Sequence, residues 1–319
     1  MRSEVEVPGR RTGRYRHITF ADAIDGAERA VDLAPAQVIE FDQAINADEG
    51  AFLLWLFRQG GLDVRHYRTE TLARRLPACL RKLRVANVGL ARTALGRNPR
   101  LVHDALGAML IGVTGFFRDT AVFDELAGQV LPDLLRRKRL LRVWSVACSE
   151  GQELYSVAML LAELLGELGA GVGVELLGTD CRLEATRVAA LGTYDLNAVR
   201  DVSAERLVRH FDCIPASGAT SDDHRQRERT QLWCVKAPLR AMTRWRTADV
   251  LTTIEPGPWD LILCRNIAMY LRCNASAGLW TQLAGAMSRG GYMVLGKAER
   301  AGSASNLCLI GQYLYRRSD

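Results

Sequence analysis

The chain has 319 residues, of which 48% are hydrophobic and 24% charged, and its formal net charge is +6. This length can bury one substantial core and a smaller second one. No run of 18 apolar residues occurs, which excludes a membrane-inserted helix. The first residues contain no apolar signal region, so we expect a cytoplasmic protein. The mild positive charge indicates an acidic partner without requiring nucleic acid.

The eight cysteines are scattered along the chain and form no Cys-x-x-Cys pair. Several stand inside apolar runs, where cysteine behaves as a small buried hydrophobe. A reducing compartment fits this usage, and we expect no metal site.

The first 47 residues differ in composition from the rest. They open with four arginines between positions 10 and 16, and Pro35 is suited to the start of a short helix. Residues 1–47 are therefore predicted to be a basic tail with one possible packing helix. A regulatory or binding arm is the alternative.

Residues 48–135 show helical spacing throughout. One apolar face ends at Gly60–Gly61, and a second steps from Leu72 to Leu83 in threes and fours. Seven basic residues lie between positions 65 and 84, against the single acid Glu70. They form either a solvated face or a docking surface. Pro77 lies inside this helix and is expected to kink or split it.

From residue 136 onward, strands and helices alternate in the manner of a doubly wound α/β domain. The predicted strands and helices are strand 141–147, helix 152–168, strand 173–179, helix 183–191 and strand 260–264. The rhythm changes at about 195–245, which we interpret as a small β insertion with an exposed loop at 221–229.

A turn of small residues joins the first strand to its helix and ends at Gly151. Small residues allow close approach of a cofactor, and the helix N-terminus offers unpaired N–H groups. The turn lacks both the Gly-x-Gly-x-x-Gly spacing and the Gly-Lys-Ser/Thr of a phosphate loop. This argues against NAD and ATP.

Five segments carry a specific resemblance when they are taken together. They are Gly112–Asp119, Leu141–Leu161, Leu177–Asp180, Trp259–Leu271 and Gly290–Glu299. In this order they resemble the CheR family, the S-adenosylmethionine-dependent methyltransferases that act on glutamates of chemotaxis receptors. The resemblance runs from about Gly50 to Arg317. It implies a Rossmann-like class I methyltransferase domain over 136–319, preceded by a helical N-terminal domain over 48–135.

The resemblance also implies the cofactor and the site. S-adenosyl-L-methionine is the expected cofactor and S-adenosyl-L-homocysteine the product, with no metal. Arg118 and Tyr270 are the expected catalytic residues. The expected cofactor-binding residues are Thr114, Arg118, Ala147, Glu153, Asp180, Asp249, Val250, Arg265 and Asn266.

Several of these residues have a plainer interpretation. Asp180 ends the second strand, where an acid can accept ribose hydroxyls, but it could also cap the next helix. Glu153 is expected to meet the methionine ammonium group, or it is a surface residue in a first helical turn. Arg118 offers a planar fork for a carboxylate, or it forms an inter-domain salt bridge. Tyr270 holds the acceptor carboxylate through its hydroxyl, or it only packs in the core.

The chain departs from the family pattern near the cofactor. The family sequence Gly-Glu-Glu-Pro-Tyr-Ser corresponds to Gly151–Ser156 here, with Gln152 in place of the first Glu and Leu154 in place of the Pro. The family sequence Asp-Ile-Asp corresponds to Asp180–Arg182 here, so that the second acid is replaced by Arg182. Three functions therefore stay open: methylation of a glutamate on an acidic helical receptor docked at the basic helix 65–84, methylation of a small carboxylate, and non-catalytic binding. Nucleic acid is a poor candidate partner because no aromatic residues are interleaved with the arginines.

Overall fold

The computed structural model describes residues 44–110, 112, 114–168, 171–215, 231–302 and 306–318. The predicted helix from Pro35 and the predicted loop at 221–229 lie outside these residues. The first part of the described chain is helical. Its helices are α1 (Ala47–Gln59), α2 (Thr69–Leu83), α3 (Val88–Arg97), α4 (Leu101–Met109), α5 (Thr120–Glu125) and α6 (Leu131–Arg137), with a π-helical turn at Leu126–Val130 between the last two.

Helix α2 is continuous through Pro77, so the expectation that the proline splits this helix is wrong. Pro77 is exposed, and the carbonyl group that loses its partner therefore lies on the solvent side of the helix. The opposite face is held by the buried side chains of Leu72, Leu76 and Cys79. Tertiary packing of this face outweighs the local cost of the proline.

The second part is a seven-stranded sheet in the order β6-β2-β1-β7-β8-β10-β9. Its strands are β1 (Leu140–Val146), β2 (Gly173–Asp180), β6 (Thr243–Thr247), β7 (Trp259–Cys264), β8 (Met287–Leu295), β9 (Leu307–Leu309) and β10 (Leu314–Arg317). The first five strands in the spatial order are parallel to their neighbours, and β10 is antiparallel to both β8 and β9. The strand order reverses between β1 and β7, which is where doubly wound sheets bind ligands.

Helices α7 (Gln152–Leu168) and α8 (Leu183–Leu191) follow β1 and β2, as predicted, and α12 (Cys273–Ala286) follows β7. The apolar side of α7 is fully buried, including Leu154, Val157 and Leu161. These residues join the strand residues Val143 and Leu176 in one core. The predicted α/β fold class is confirmed, whereas the predicted domain boundaries stay predictions.

A small sheet stands where the β insertion was expected. Its strands are β3 (Thr193–Asp195), β4 (Phe211–Pro215) and β5 (Gln231–Val235), in the antiparallel order β3-β5-β4. The short helices α9 (Leu196–Val199), α10 (Ala204–His210) and α11 (Ala237–Met242) flank these strands. Phe211 joins the small sheet to the main core through an edge-to-face contact with Phe116.

The described residues contain no helix that is long and apolar enough to span a bilayer.

We predict that Gly178→Ala destabilises the fold by about 1–3 kcal/mol, the usual cost of overpacking a tight core. A Cβ at this buried position would lie 2.4 Å from the ring of Trp245. Gly166 is the control because it is exposed inside α7 and a Cβ there would meet nothing within 4 Å. Gly166→Ala is expected to stabilise by up to about 1 kcal/mol. Urea unfolding of both variants tests this, and equal stabilities would contradict it.

Candidate functional site

A deep cleft opens at the carboxyl ends of the central strands, beside the reversal in strand order. It encloses about 1020 Å³, including its open mouth. The main sheet and the loops that follow its strands provide one wall. Helices α2 and α4, Gly112 and residues 114–118 provide the other. Eight residues expected at the site line the cleft: Thr114, Arg118, Ala147, Glu153, Asp180, Arg265, Asn266 and Tyr270.

The backbone around this cleft is unusual. Six non-glycine residues in the described part of the chain have positive φ, and five of them belong to the loops around the cleft. These five are Phe117, Asp119, Ala147, Ser149 and Asn266. Such conformations cost free energy and concentrate at binding sites, where the surrounding structure enforces them. The positions therefore indicate a site independently of any motif.

Asp180 lies at the end of β2 and is 4% exposed. It accepts hydrogen bonds from the backbone N–H of Ser149 at 2.9 Å and from the backbone and side chain of Arg182. The N-cap residue of α8 is Arg182, whose side chain makes no capping hydrogen bond. The alternative that Asp180 caps this helix is therefore wrong.

Glu153 lies in the first turn of α7 but is not a surface residue. Its side chain is 12% exposed, accepts a hydrogen bond from the Ser145 hydroxyl at 2.8 Å and pairs with Arg265 at 3.1 Å. Each carboxylate oxygen has room for another donor. Glu153 can therefore receive an ammonium group from the cleft.

Arg265 is 2% exposed and joins three segments of the chain. Besides Glu153, its guanidinium donates to the Asp119 carboxylate and to the Arg118 carbonyl, both at 2.8 Å. Partial burial would raise the pKa of Asp119, but the hydrogen bond from Lys297 and the charge of Arg265 together lower it. The segment that carries Arg118 is thus tied to the end of β7.

The turn from Asn266 to Tyr270 is fixed at its start by Glu299. This buried carboxylate accepts the backbone N–H groups of Asn266, Ala268 and Gly296 at 2.7–2.9 Å. Tyr270 ends the following 3-10 turn, lines the cleft and is half-buried. Its hydroxyl has no hydrogen-bond partner among the described residues, so it can donate to a ligand.

The other end of this turn is bound to the helical part by two arginines. The backbone N–H of Arg68 donates to the Tyr270 carbonyl at 2.9 Å, and that of Arg272 to the His66 carbonyl at 2.8 Å. The side chains of the same two arginines form a second pair of hydrogen bonds between these segments, which we call the exchange between Arg68 and Arg272. Arg68 Nε donates to the Leu271 carbonyl and Arg272 Nε to the Tyr67 carbonyl. Helix α2 is therefore linked directly to the segment that carries Tyr270.

Asp249 and Val250 do not belong to the residues that line the cleft. Asp249 lies near Tyr67 and Cys181, which do line it. One carboxylate oxygen of Asp249 accepts the backbone N–H of Leu251, and the other is buried without a partner. A buried acceptor of this kind suits an amino group, such as the one on an adenine ring.

The donors and acceptors of the cleft fit S-adenosylmethionine. Glu153 suits its ammonium group, and Asp180 lies where ribose hydroxyls are bound in doubly wound folds. The turn after β1 brings backbone close to the cleft. The fold and the cleft together define a Rossmann-like methyltransferase domain of class I.

The comparison with protein families identifies the particular family. Residues 112–309 match the family described as CheR methyltransferase, SAM binding domain. The chain belongs to this family and is an S-adenosylmethionine-dependent methyltransferase.

Individual relatives agree with this assignment. Chemotaxis protein methyltransferase 1 of Pseudomonas aeruginosa is 31% identical over 265 residues, which cover 80% of this chain and 91% of that protein. A chemotaxis protein methyltransferase of Listeria monocytogenes is 28% identical and covers 76% and 86% of the two chains. Among solved structures, the magnesium protoporphyrin IX methyltransferase of Synechocystis is 14% identical with a TM-score of 0.30, covering 64% and 66%. This last similarity is too low to support an argument about function.

Sequence reasoning missed three features of the site. These are the pairing of Arg182 with Asp180, the bridge from Asp119 to Arg265 and Lys297, and the exchange between Arg68 and Arg272. The departure from the family pattern at position 182 was the one available signal for the first. The other two join residues more than 140 positions apart and leave no local pattern.

We predict that Asp249→Asn stabilises the fold at neutral pH. Burial raises the pKa of Asp249, so the folded state binds this proton more tightly than the unfolded state. The ionised carboxylate therefore costs stability, and the cost vanishes below the ordinary value of about 4. The cost grows as the pH rises above the ordinary pKa and is complete above the raised one, so urea unfolding should show a larger gain at pH 7 than at pH 4. The exposed Asp212→Asn is the control, and an equal gain at both pH values would contradict the prediction.

Proposed function

We propose that this enzyme transfers the methyl group to a carboxylate, and that the acceptor is a glutamate side chain of a receptor-like helical protein. The observation that carries the proposal is the presence of Arg118 and Tyr270 on one cleft with the cofactor-binding residues. A guanidinium and a phenol are two donors that can hold the two oxygens of a carboxylate.

The reaction requires few further groups from the chain. When bound, S-adenosylmethionine supplies a methyl group on a positively charged sulfur, which is already activated for transfer. A glutamate is ionised at neutral pH and needs no general base. Arg118 and Tyr270 would hold the acceptor carboxylate in line, while Glu153 and Asp180 would fix the cofactor. Orientation of this kind can supply about 7–11 kcal/mol of the activation barrier.

Helix α2 supports a protein acceptor over a small one. Its exposed side carries Arg74, Arg81 and Arg84, whose side chains have no ion-pair or hydrogen-bond partner among the described residues. The same helix lines the cleft through Thr71 and Leu72. An acidic helix that docks on these arginines would therefore lie beside the reactive centre. The continuity of α2 through Pro77 removes the objection that the surface is broken.

The direct test is methyl transfer from labelled S-adenosylmethionine to the purified cytoplasmic domain of a chemotaxis receptor. The expected product is a methyl ester that releases methanol in mild alkali. A label stable to alkali would contradict the proposal. Transfer to free glutamate or succinate without transfer to the receptor would favour a small-molecule acceptor. Cofactor binding without transfer to any of these acceptors would favour a non-catalytic role.

We predict that Tyr270→Phe lowers the rate of transfer roughly 100-fold, the usual effect of removing one donor from a transition state. Binding of S-adenosylhomocysteine should be unchanged, because the lost hydroxyl faces the acceptor. Tyr313→Phe is the matched control, since this buried tyrosine packs at β10 in the core. Full activity of Tyr270→Phe would show that the hydroxyl is dispensable.

We predict that Arg74→Glu combined with Arg81→Glu raises the KM for the receptor domain about tenfold at low salt and less at high salt. The turnover number should stay within about twofold, because neither side chain lines the cleft. Arg136→Glu with Arg139→Glu makes the same charge change at two exposed positions that do not line the cleft, in the last turn of α6 and just before β1. An equal increase in KM from this control pair would contradict docking on α2.

A further inference from the structure

The carboxylate of Asp180 is already saturated with hydrogen bonds. Its Oδ1 atom accepts from the backbone N–H and from Nε of Arg182, both at 2.9 Å. Its Oδ2 atom accepts from the Ser149 N–H at 2.9 Å and from Nη2 of Arg182 at 3.1 Å. A carboxylate has about four lone-pair positions, and all four are filled here. A ribose cannot bind this carboxylate while the guanidinium stays in place.

The position of the Arg182 side chain depends on Gly112. A Cβ at Gly112 would lie 1.9 Å from Nη1 and 2.2 Å from Nη2 of Arg182. The guanidinium thus occupies the space that any larger residue at position 112 would take. Arg182 also lines the main cleft, next to Asp180 and Cys181.

A second cavity provides another position for the guanidinium. It adjoins the main cleft, and Arg182 lines both. The residues that line this second cavity include Glu150 and Glu184, and Glu184 also pairs with Arg187. An arginine that leaves Asp180 can therefore remain close to negative charge, as a partly buried cation requires.

We propose that Arg182 is a specificity-determining residue of the cofactor site, which competes with the ribose hydroxyls for Asp180 and moves toward Glu150 and Glu184 when the cofactor binds. The proposal rests on the ribose-binding role of Asp180 in the proposed function. It follows that the apparent dissociation constant is the intrinsic one divided by the fraction of molecules whose Asp180 is open. If one molecule in about ten is open, removal of the arginine tightens binding about tenfold.

The test is calorimetric titration of the full chain with S-adenosylhomocysteine, which needs no knowledge of the acceptor. Arg182→Met is expected to lower the dissociation constant at least tenfold. The backbone N–H groups at positions 149 and 182 remain and continue to hold Asp180. Unchanged or weaker binding would overturn the proposal, because it would mean that the arginine does not compete or that it helps to hold the cofactor.

A double-mutant cycle with Asp180→Ala separates this proposal from the assignment of Asp180 itself. If Arg182 acts by competition for Asp180, Arg182→Met gives no gain once Asp180 is alanine. If Asp180→Ala leaves binding unchanged, the ribose-binding role fails. If Asp180→Ala weakens binding but Arg182→Met alone does not tighten it, only the present proposal fails.

Gly112→Ala displaces the same guanidinium without deleting it, and it keeps the proposal testable if Arg182→Met does not fold. We expect tighter binding from Gly112→Ala alone and no further gain when it is combined with Arg182→Met. Arg200→Met is the matched control, because it removes the same charge from an exposed side chain that lines neither cavity and pairs only with Asp201 among the described residues. A tenfold gain from this control would overturn the proposal, since it would assign the effect to net charge.

Discussion

The geometry of the cleft depends on the ion pairs of one buried cation. Arg265 binds the start of α7 through Glu153 and the segment before the sheet through Asp119 and the Arg118 carbonyl. A cation removed from water is tolerated only when nearby carboxylates match its charge. Glu153 and Asp119 must therefore meet at the guanidinium, and its bond to the Arg118 carbonyl fixes the backbone of Arg118 beside the end of β7.

The loops around this cation are conformationally strained, and the rest of the fold has to offset that strain. Five non-glycine residues with positive φ surround the cleft, at a cost on the order of 1 kcal/mol each. The parallel strands β1 and β7 hold the starts of the loops that carry Ala147, Ser149 and Asn266. The rigid sheet and its buried helix α7 thus supply the stability that the loops lack.

Local patterns in the sequence were sufficient to predict the bounds of the strands and helices around the cleft. Strands β1 and β2 and helices α7 and α8 lie within one residue of their predicted bounds, because apolar spacing and flanking glycines are local signals. The prediction that Pro77 could split the helix is wrong because packing of the opposite helix face keeps the helix continuous. The fit of Arg182 against Gly112 could not be predicted, since it joins residues 70 positions apart through shape alone. The motif-based site residues mostly share one cleft, but the hydrogen bonds that orient them are long-range.

The exchange between Arg68 and Arg272 has an evolutionary consequence. Both side chains donate to backbone carbonyl groups, which every amino acid provides. The residues that accept these hydrogen bonds can therefore be replaced by other amino acids without weakening the connection between α2 and the Tyr270 segment. Contacts of this kind leave no compensating pairs of substitutions, so covariation among homologous sequences would miss the connection between α2 and the turn that carries Tyr270.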